Sequence, residues 1–109
     1  MTEKKNGIIR IYYDETKKKL WYEHYEFNNK EEGQYKEYHE NGQLKKIYNS
    51  KNDMREGEYK SYWGNGRLLS LFNYKNNKRE GEYKLYYEDG QLFDIYNYKN
   101  DEKVGEYEQ

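Results

Sequence analysis

Residues 57–80 read GEYKSYWGNGRLLSLFNYKNNKRE, and residues 81–104 read GEYKLYYEDGQLFDIYNYKNDEKV. The two stretches match at Gly57 and Gly81, Tyr59 and Tyr83, Tyr62 and Tyr86, Leu68 and Leu92, and Tyr74 and Tyr98. Residues 33–56, GQYKEYHENGQLKKIYNSKNDMRE, carry the same pattern. Gly33, Gly57, Gly81 and Gly105 are thus 24 residues apart, and Gly7 opens a looser copy 26 residues before Gly33. A period of this length means that each unit is a supersecondary element which buries its apolar face only by stacking on its neighbours. The spacing predicts one repeat domain over residues 1–109: a degenerate cap at 7–32, full units at 33–56, 57–80 and 81–104, and a partial unit at 105–109.

Each full unit carries two turn signals. The first is Asn41-Gly42, Asn65-Gly66 or Asp89-Gly90, dipeptides that suit a two-residue type I′ hairpin. The second is a polar stretch before the repeat glycine, at Asn52-Asp53, Asn76-Asn77 and Asn100-Asp101, read as a loop of four or five residues. Between the turns lie proline-free runs rich in Tyr, Ile, Phe and Leu, which read as strands. The expected fold is all-β: an elongated, single-layer antiparallel β-meander of about nine strands.

A two-residue turn at Asn65-Gly66 would set Trp63 against Leu68, Ser61 against Ser70, Tyr59 against Phe72 and Gly57 against Tyr74. It would likewise set Tyr87 against Leu92 and His39 against Leu44. A loop at 76–79 would set Tyr74 against Gly81 and Phe72 against Tyr83. Two columns on one face follow. The first is Tyr35, Tyr48, Tyr59, Phe72, Tyr83, Tyr96 and Tyr107; the second is His39, Leu44, Trp63, Leu68, Tyr87 and Leu92. Cross-strand aromatic pairs of this kind contribute roughly 0.2–1 kcal/mol each. Gly57 and Gly81 would flank Tyr74 and leave room for its ring. The opposite face would hold Tyr12, Tyr38, Tyr62 and Tyr86, with Trp21, Leu69 and Phe93 opposite, and Lys36, Lys60 and Lys84 beside Ile47, Leu71 and Ile95.

Composition agrees with a thin aromatic core. Only 33% of residues are apolar and 38% are charged, a balance that leans toward disorder, but 16 tyrosines supply large rings that hydropathy scales undercount. Net charge is −1 with the signs interspersed, so no phosphate-neutralising surface is indicated, and Lys17, Lys18 and Lys19 read as a solvated hairpin tip. The absence of cysteine excludes disulfides and thiolate metal sites. The N-terminus has no apolar stretch of a secretory signal, and a cytoplasmic location is expected.

The string Gly57-Glu58-Tyr59-Lys60-Ser61-Tyr62-Trp63-Gly64-Asn65-Gly66 resembles a MORN-type repeat. It is most similar to the MORN-repeat variant of bacterial antitoxin-like proteins, in which Gly-x-Tyr-x-x-Tyr-x-x-Asn-Gly-x-Leu leads to a second Tyr-bearing strand. The match recurs at residues 33–44, 57–68 and 81–92, with Tyr38, Tyr62 and Tyr86 at the inner tyrosine. The first unit departs from it: Asp14 to Lys19 replaces the Asn-Gly turn and is two residues longer, as befits an end cap. The resemblance implies an elongated twisted meander and a role in protein interaction or membrane association; it brings no catalytic or ligand residues.

No chemistry emerges from the residues. His24 and His39 fall where other units have an aromatic ring, and neither has the spacing of a metal ligand. No carboxylate pair stands out as acid and base, and no nucleophile has an adjacent base. The chain reads as non-enzymatic, with no cofactor and no small-molecule substrate. Surface remains, and Tyr, Trp and Arg anchor interfaces. The candidate partner-binding residues are Trp63, Tyr87, His39 and Tyr13 on the ladder face and Tyr38, Tyr62 and Tyr86 on the other. The expected function is docking of a protein partner, a toxin or effector that the chain neutralises. Alternatives are a phage or mobile-element inhibitor of a defence nuclease such as a CRISPR effector, and a membrane- or lipid-associated scaffold. Lys alternating with Glu argues against membrane, and only Lys36, Lys60 and Lys84 beside the inner tyrosines hint at nucleic acid. The last strand, Glu106 to Gln109, would be an open edge suited to self-association.

Overall fold

The alternating Tyr-rich runs all form strands. The computed structural model describes residues 6–104. The strands are β1 (Gly7–Tyr12), β2 (Leu20–Phe27), β3 (Lys30–Tyr38), β4 (Leu44–Lys51), β5 (Met54–Arg55), β6 (Gly57–Tyr62), β7 (Leu68–Lys75), β8 (Lys78–Tyr86), β9 (Leu92–Lys99) and β10 (Glu102–Val104). They make one antiparallel sheet in the order β1-β2-β3-β4-β6-β7-β8-β9-β10, with β5 also paired to β4. β5 and β6 are two pieces of one strand broken at Glu56, so the path has the nine positions expected from the repeat. The molecule measures 56 × 34 × 15 Å, and 15 Å leaves no room for a second layer. The expected rung at Tyr107, the partial unit at 105–109 and the edge at Glu106 to Gln109 lie outside the described residues.

The strand bodies have the expected register, but both turn assignments are corrected. At Asn65-Gly66 the Gly66 amide donates to the Trp63 carbonyl at 2.9 Å and the Trp63 amide to the Arg67 carbonyl at 2.8 Å. Gly66 alone is left-handed there, with φ +91°. This is a three-residue loop, a type I turn closed by a left-handed glycine. The two-residue, both-positive pattern of a type I′ turn belongs instead to the other loop: Asn76 and Asn77 have φ of 51° and 70°, between the paired Lys75 and Lys78.

Each turn is offset by a bulge. Tyr62 pairs with Leu68 and Ser61 with Ser70, so Leu69 is the extra residue. The bulge restores in the strand body the register that a two-residue turn would have set. At the other end Tyr74 pairs with Arg79, not Gly81, and a second bulge brings Leu71 against Lys84. Phe72 then stacks on Tyr83 as expected, at 4.2 Å.

A single-residue slip flips side chains to the other face of a sheet. Trp63 therefore does not pair with Leu68, Tyr87 with Leu92 or His39 with Leu44. Those leucines pair with Tyr62, Tyr86 and Tyr38, and Leu20 pairs with Tyr12. The bulged Trp21 and Phe93 move the opposite way, to the ladder face. Trp21 stacks on Tyr13 at 5.7 Å, and Phe93 meets Tyr87 edge-on at 4.9 Å.

The core is the ladder of rings. Centroid separations are 5.6 Å for Tyr22–Tyr35, 4.7 Å for Tyr35–Tyr48, 5.7 Å for Tyr48–Tyr59, 4.5 Å for Tyr59–Phe72 and 4.2 Å for Phe72–Tyr83, all stacked. Tyr83–Tyr96 opens to 6.3 Å and tilts. Tyr48 and Phe72, at 6% and 5% exposure, are the buried apolar residues among those described. Burial and the bond that its hydroxyl donates to Glu37 at 2.7 Å push the Tyr35 phenol far above its ordinary value. Burial likewise pushes Tyr48 up to about 12 and raises Tyr59 and Tyr83. A raised phenol stabilises the fold fully below the unfolded pKa of about 10, and that contribution disappears as pH rises through the folded value. Alkaline titration followed by tyrosinate absorbance is expected to include a cooperative step, above the unfolded pKa of about 10, that coincides with loss of the sheet signal by circular dichroism. A single gradual step with the sheet intact would contradict the ladder.

The repeat glycines act through backbone conformation, not by making room for a ring. Gly57 has φ +87°, and a Cβ there would meet nothing within 4 Å. Gly57→Ala is expected to cost about 1–2 kcal/mol through the left-handed conformation. Gly57→Asn, larger but tolerant of that conformation, should cost less. Urea denaturation of the two variants compares them; an Asn variant weaker than the Ala variant would restore the steric explanation.

Candidate protein-binding surface

Tyr13, His39 and Trp63 occupy one position, the residue before the first turn of successive units. Each reaches across to the next unit. The Trp63 Nε1–H donates to the Tyr86 carbonyl at 3.1 Å, His39 Nε2 lies 2.9 Å from the Tyr62 carbonyl, and the Tyr13 hydroxyl donates to the Tyr38 carbonyl. A carbonyl only accepts, so Nε2 of His39 carries the hydrogen. The three side chains share a ring with a donor at its far end, which explains why Tyr, His and Trp alternate here. All three are half-buried. They fasten the array rather than standing free for a partner. Sequence reasoning took the shared property to be aromaticity and missed the donor.

The turn asparagines add a second fastening on the same rim. Asn41 Nδ2 donates to the Gly64 carbonyl at 2.8 Å and Asn65 Nδ2 to the Glu88 carbonyl at 3.1 Å. Their Oδ1 atoms accept from Gln43 and Arg67 amides in their own turns, both at 2.9 Å. On the opposite rim Asp53 and Asp101 accept from the Glu31 and Arg79 amides at 2.8 and 3.2 Å. Asn77 takes the same place and accepts from Arg55 at 3.1 Å. Arg79 is closed by Asp101 at 2.6 Å, whereas Arg55 faces the neutral Asn77 and lies over the Tyr48 ring at 4.8 Å.

Tyr87 holds the same position in the last full unit, but its ring is 51% exposed, with Phe93 54% exposed beside it. Its hydroxyl has no acceptor among the described residues. Tyr38, Tyr62 and Tyr86 lie on the other face, half-buried, and their hydroxyls make no hydrogen bond among the described residues. Two strands separate each from the next, a spacing of about 10 Å. Tyr62 borders a shallow depression with Leu44, Ile47 and Lys60, and Tyr38 borders another with Lys18, Lys19 and Leu20. The nearby lysines are paired along their strands, Lys60 with Glu58 at 3.4 Å and Lys84 with Glu82 at 3.7 Å. The structure thus divides the seven candidates. Tyr13, His39 and Trp63 are fastenings, Tyr87 holds the same position with no acceptor among the described residues, and Tyr38, Tyr62 and Tyr86 form a partly exposed row.

His24 lies between Glu26 and Glu31, at 3.7 and 3.5 Å, and Glu31 also accepts from Ser50 at 2.7 Å. Among the described residues no group of three or more His, Cys, Asp or Glu side chains is placed to hold a metal ion.

The chain matches no curated protein and no solved structure. The family model for the MORN repeat variant matches residues 31–52, 55–76 and 79–100. Those three segments start at the second rim and cover β3–β4, β5–β7 and β8–β9, the same hairpin units that the glycine period and the rim contacts delimit. The chain belongs to the MORN repeat variant family, whose repeats serve as interaction modules.

Proposed function

We propose that this chain is a non-enzymatic module that docks a protein partner on the face carrying Tyr38, Tyr62 and Tyr86, and that the partner is a toxin or effector which it neutralises. One observation carries the reading: three partly exposed phenols stand at equivalent positions of successive units on a sheet that has no second layer to cover them. A tyrosine has few rotamers to lose, and each of these has a free hydroxyl, so the row offers apolar area and hydrogen bonds at low entropic cost. The depressions beside Tyr38 and Tyr62 would receive partner side chains. A lipid surface is less well served, because Lys60 and Lys84 are paired with glutamates and form no basic stripe.

The test is capture from the native host, followed by affinity measurement with the purified partner. Tyr62→Ala and Tyr86→Ala, each with unchanged circular dichroism, are expected to weaken binding by at least about tenfold, as interface tyrosines do. Unchanged affinity in both would remove this face from the account.

A further inference from the structure

Glu31, Arg55 and Arg79 hold one position in successive units, and Asp53, Asn77 and Asp101 hold the position that meets it on the second rim. The backbones join in the same way each time. The Asp53, Asn77 and Asp101 amides donate to the Glu31, Arg55 and Arg79 carbonyls at 3.0, 2.9 and 3.0 Å. Each side-chain Oδ1 accepts the facing amide in return. The side chains differ. Arg79 donates from Nε to the Asp101 carboxylate at 2.6 Å, whereas Asn77 has no charge to offer Arg55.

Arg55 turns inward instead. Its guanidinium lies 4.8 Å from the Tyr48 ring centroid and 5.5 Å from that of Tyr74, and it donates to the Tyr74 hydroxyl at 3.0 Å. Among the described residues it pairs with no carboxylate. Burial pushes the Tyr48 phenol up to about 12, so that ring supplies no counter-charge near neutral pH. A guanidinium carries its donors in a planar fork that matches a carboxylate, and the tyrosine hydroxyls take only part of that fork.

Arg55 stands in an open hollow of about 530 Å³ on the ladder face, beside Tyr48, Ser50, Tyr74 and Asn77. The fifth of the nine strand positions holds it, so described strands flank it on both sides. Glu31 and Asp53 also border the hollow, each with a donor of its own: the Ser50 hydroxyl for Glu31 at 2.7 Å and the Glu31 amide for Asp53 at 2.8 Å. Their charge restricts what Arg55 can hold. They repel a doubly charged phosphate more strongly than a singly charged carboxylate. Small-molecule sites are enclosed and mostly apolar. This hollow is open and polar, which suits a side chain carried on a protein surface.

We propose that the hollow at Arg55 recognises one carboxylate, the Asp or Glu side chain of a protein partner. Asp101 on Arg79 shows the contact made within the chain; at Arg55 the carboxylate comes from outside. Arginine held against aromatic rings is a common anchor of protein interfaces. The hollow lies on the face opposite Tyr38, Tyr62 and Tyr86, so it stands or falls separately from that row.

NMR of the arginine Nε–H signals tests it, since the chain has only Arg10, Arg55, Arg67 and Arg79 to assign. The probes are a blocked Gly-Glu-Gly peptide, its Gly-Gln-Gly counterpart and inorganic phosphate, at constant ionic strength. The glutamate peptide is expected to shift Arg55 saturably, at least about tenfold more tightly than Arg67, which is exposed and outside the hollow. Asn77→Asp supplies the carboxylate from within, at a position that already accepts Asp53 and Asp101 in the neighbouring units. It should keep the circular dichroism of the wild type and abolish the response, as should Arg55→Gln. Equal responses at Arg55 and Arg67 would mean adventitious ion pairing only and would overturn the proposal. So would an equal response to the glutamine peptide, phosphate binding more tightly than the glutamate peptide, or an Asn77→Asp variant that responds like the wild type.

Discussion

Phe72→Ala is expected to lower stability by about 3–5 kcal/mol, the cost of removing a large ring from a packed core. For a small domain this is most of the total, and the variant should be largely unfolded at moderate temperature. The size follows from position. Phe72 is 5% exposed and is stacked at 4.5 Å on Tyr59 and 4.2 Å on Tyr83. In a single-layer sheet no second set of side chains can close over the gap. Phe72 also sits in the middle of the array, and a repeat array depends on contacts between nearest neighbours. Phe72→Tyr, which places in this column the residue that Tyr48 and Tyr96 already supply, should cost less than about 1.5 kcal/mol. Denaturant midpoints for the two variants decide the matter; equal losses would mean that the ladder is not the core.

Trp63→Ala is expected to cost about 2–3 kcal/mol, a partly buried ring plus the bond to the Tyr86 carbonyl. Trp63→Phe retains most of the ring and loses the donor, and should cost about 1 kcal/mol. These values separate a fastening from a free interface anchor, since truncating an exposed anchor changes stability by less than about 0.5 kcal/mol. They also bear on how binding variants are chosen. A Trp63→Ala variant that failed to bind a partner would first have to be shown to fold, whereas Tyr62 and Tyr86 can be truncated with less risk to the sheet.

Much of this architecture was legible in the sequence because the repeat tests itself. The 24-residue period required one register to hold in every unit, and the ladder from Tyr35 to Tyr96 follows from it. The turns were not legible for a definite reason. Asn-Gly suits a type I′ turn, and it equally suits the last two positions of a three-residue loop, where glycine alone must be left-handed. The bulge at Leu69 then cancels the difference in loop length, so the strand bodies give no sign of it. Only the strand ends reveal it, where Leu68 and Leu69 exchange faces. The two-residue turns hid behind Asn76-Asn77 and Asn52-Asp53, residues that tolerate left-handed backbone without glycine.

The candidate surface was legible in part. The inner tyrosines Tyr38, Tyr62 and Tyr86 could be picked out because their column does not depend on the turn type. The fastening role of Tyr13, His39 and Trp63 could not, because the acceptor is a backbone carbonyl and leaves no trace in residue identity. A signal was present nonetheless. Every ring at this position in the chain bears a hydrogen on nitrogen or oxygen, and Phe, which the ladder accepts at Phe72, does not occur there.

The central claim is that neighbouring units are fastened by ring donors to backbone carbonyls. The chain has two tryptophans, which makes the claim directly measurable. Trp63 donates its indole N–H to the Tyr86 carbonyl, while Trp21 is 40% exposed and its indole makes no hydrogen bond among the described residues. Hydrogen exchange of the two indole N–H signals by NMR, assigned with Trp21→Phe, should show one signal exchanging near the rate of free tryptophan and the other, Trp63, protected by roughly the free energy of opening the junction. Equal and rapid exchange of both indoles would contradict the account.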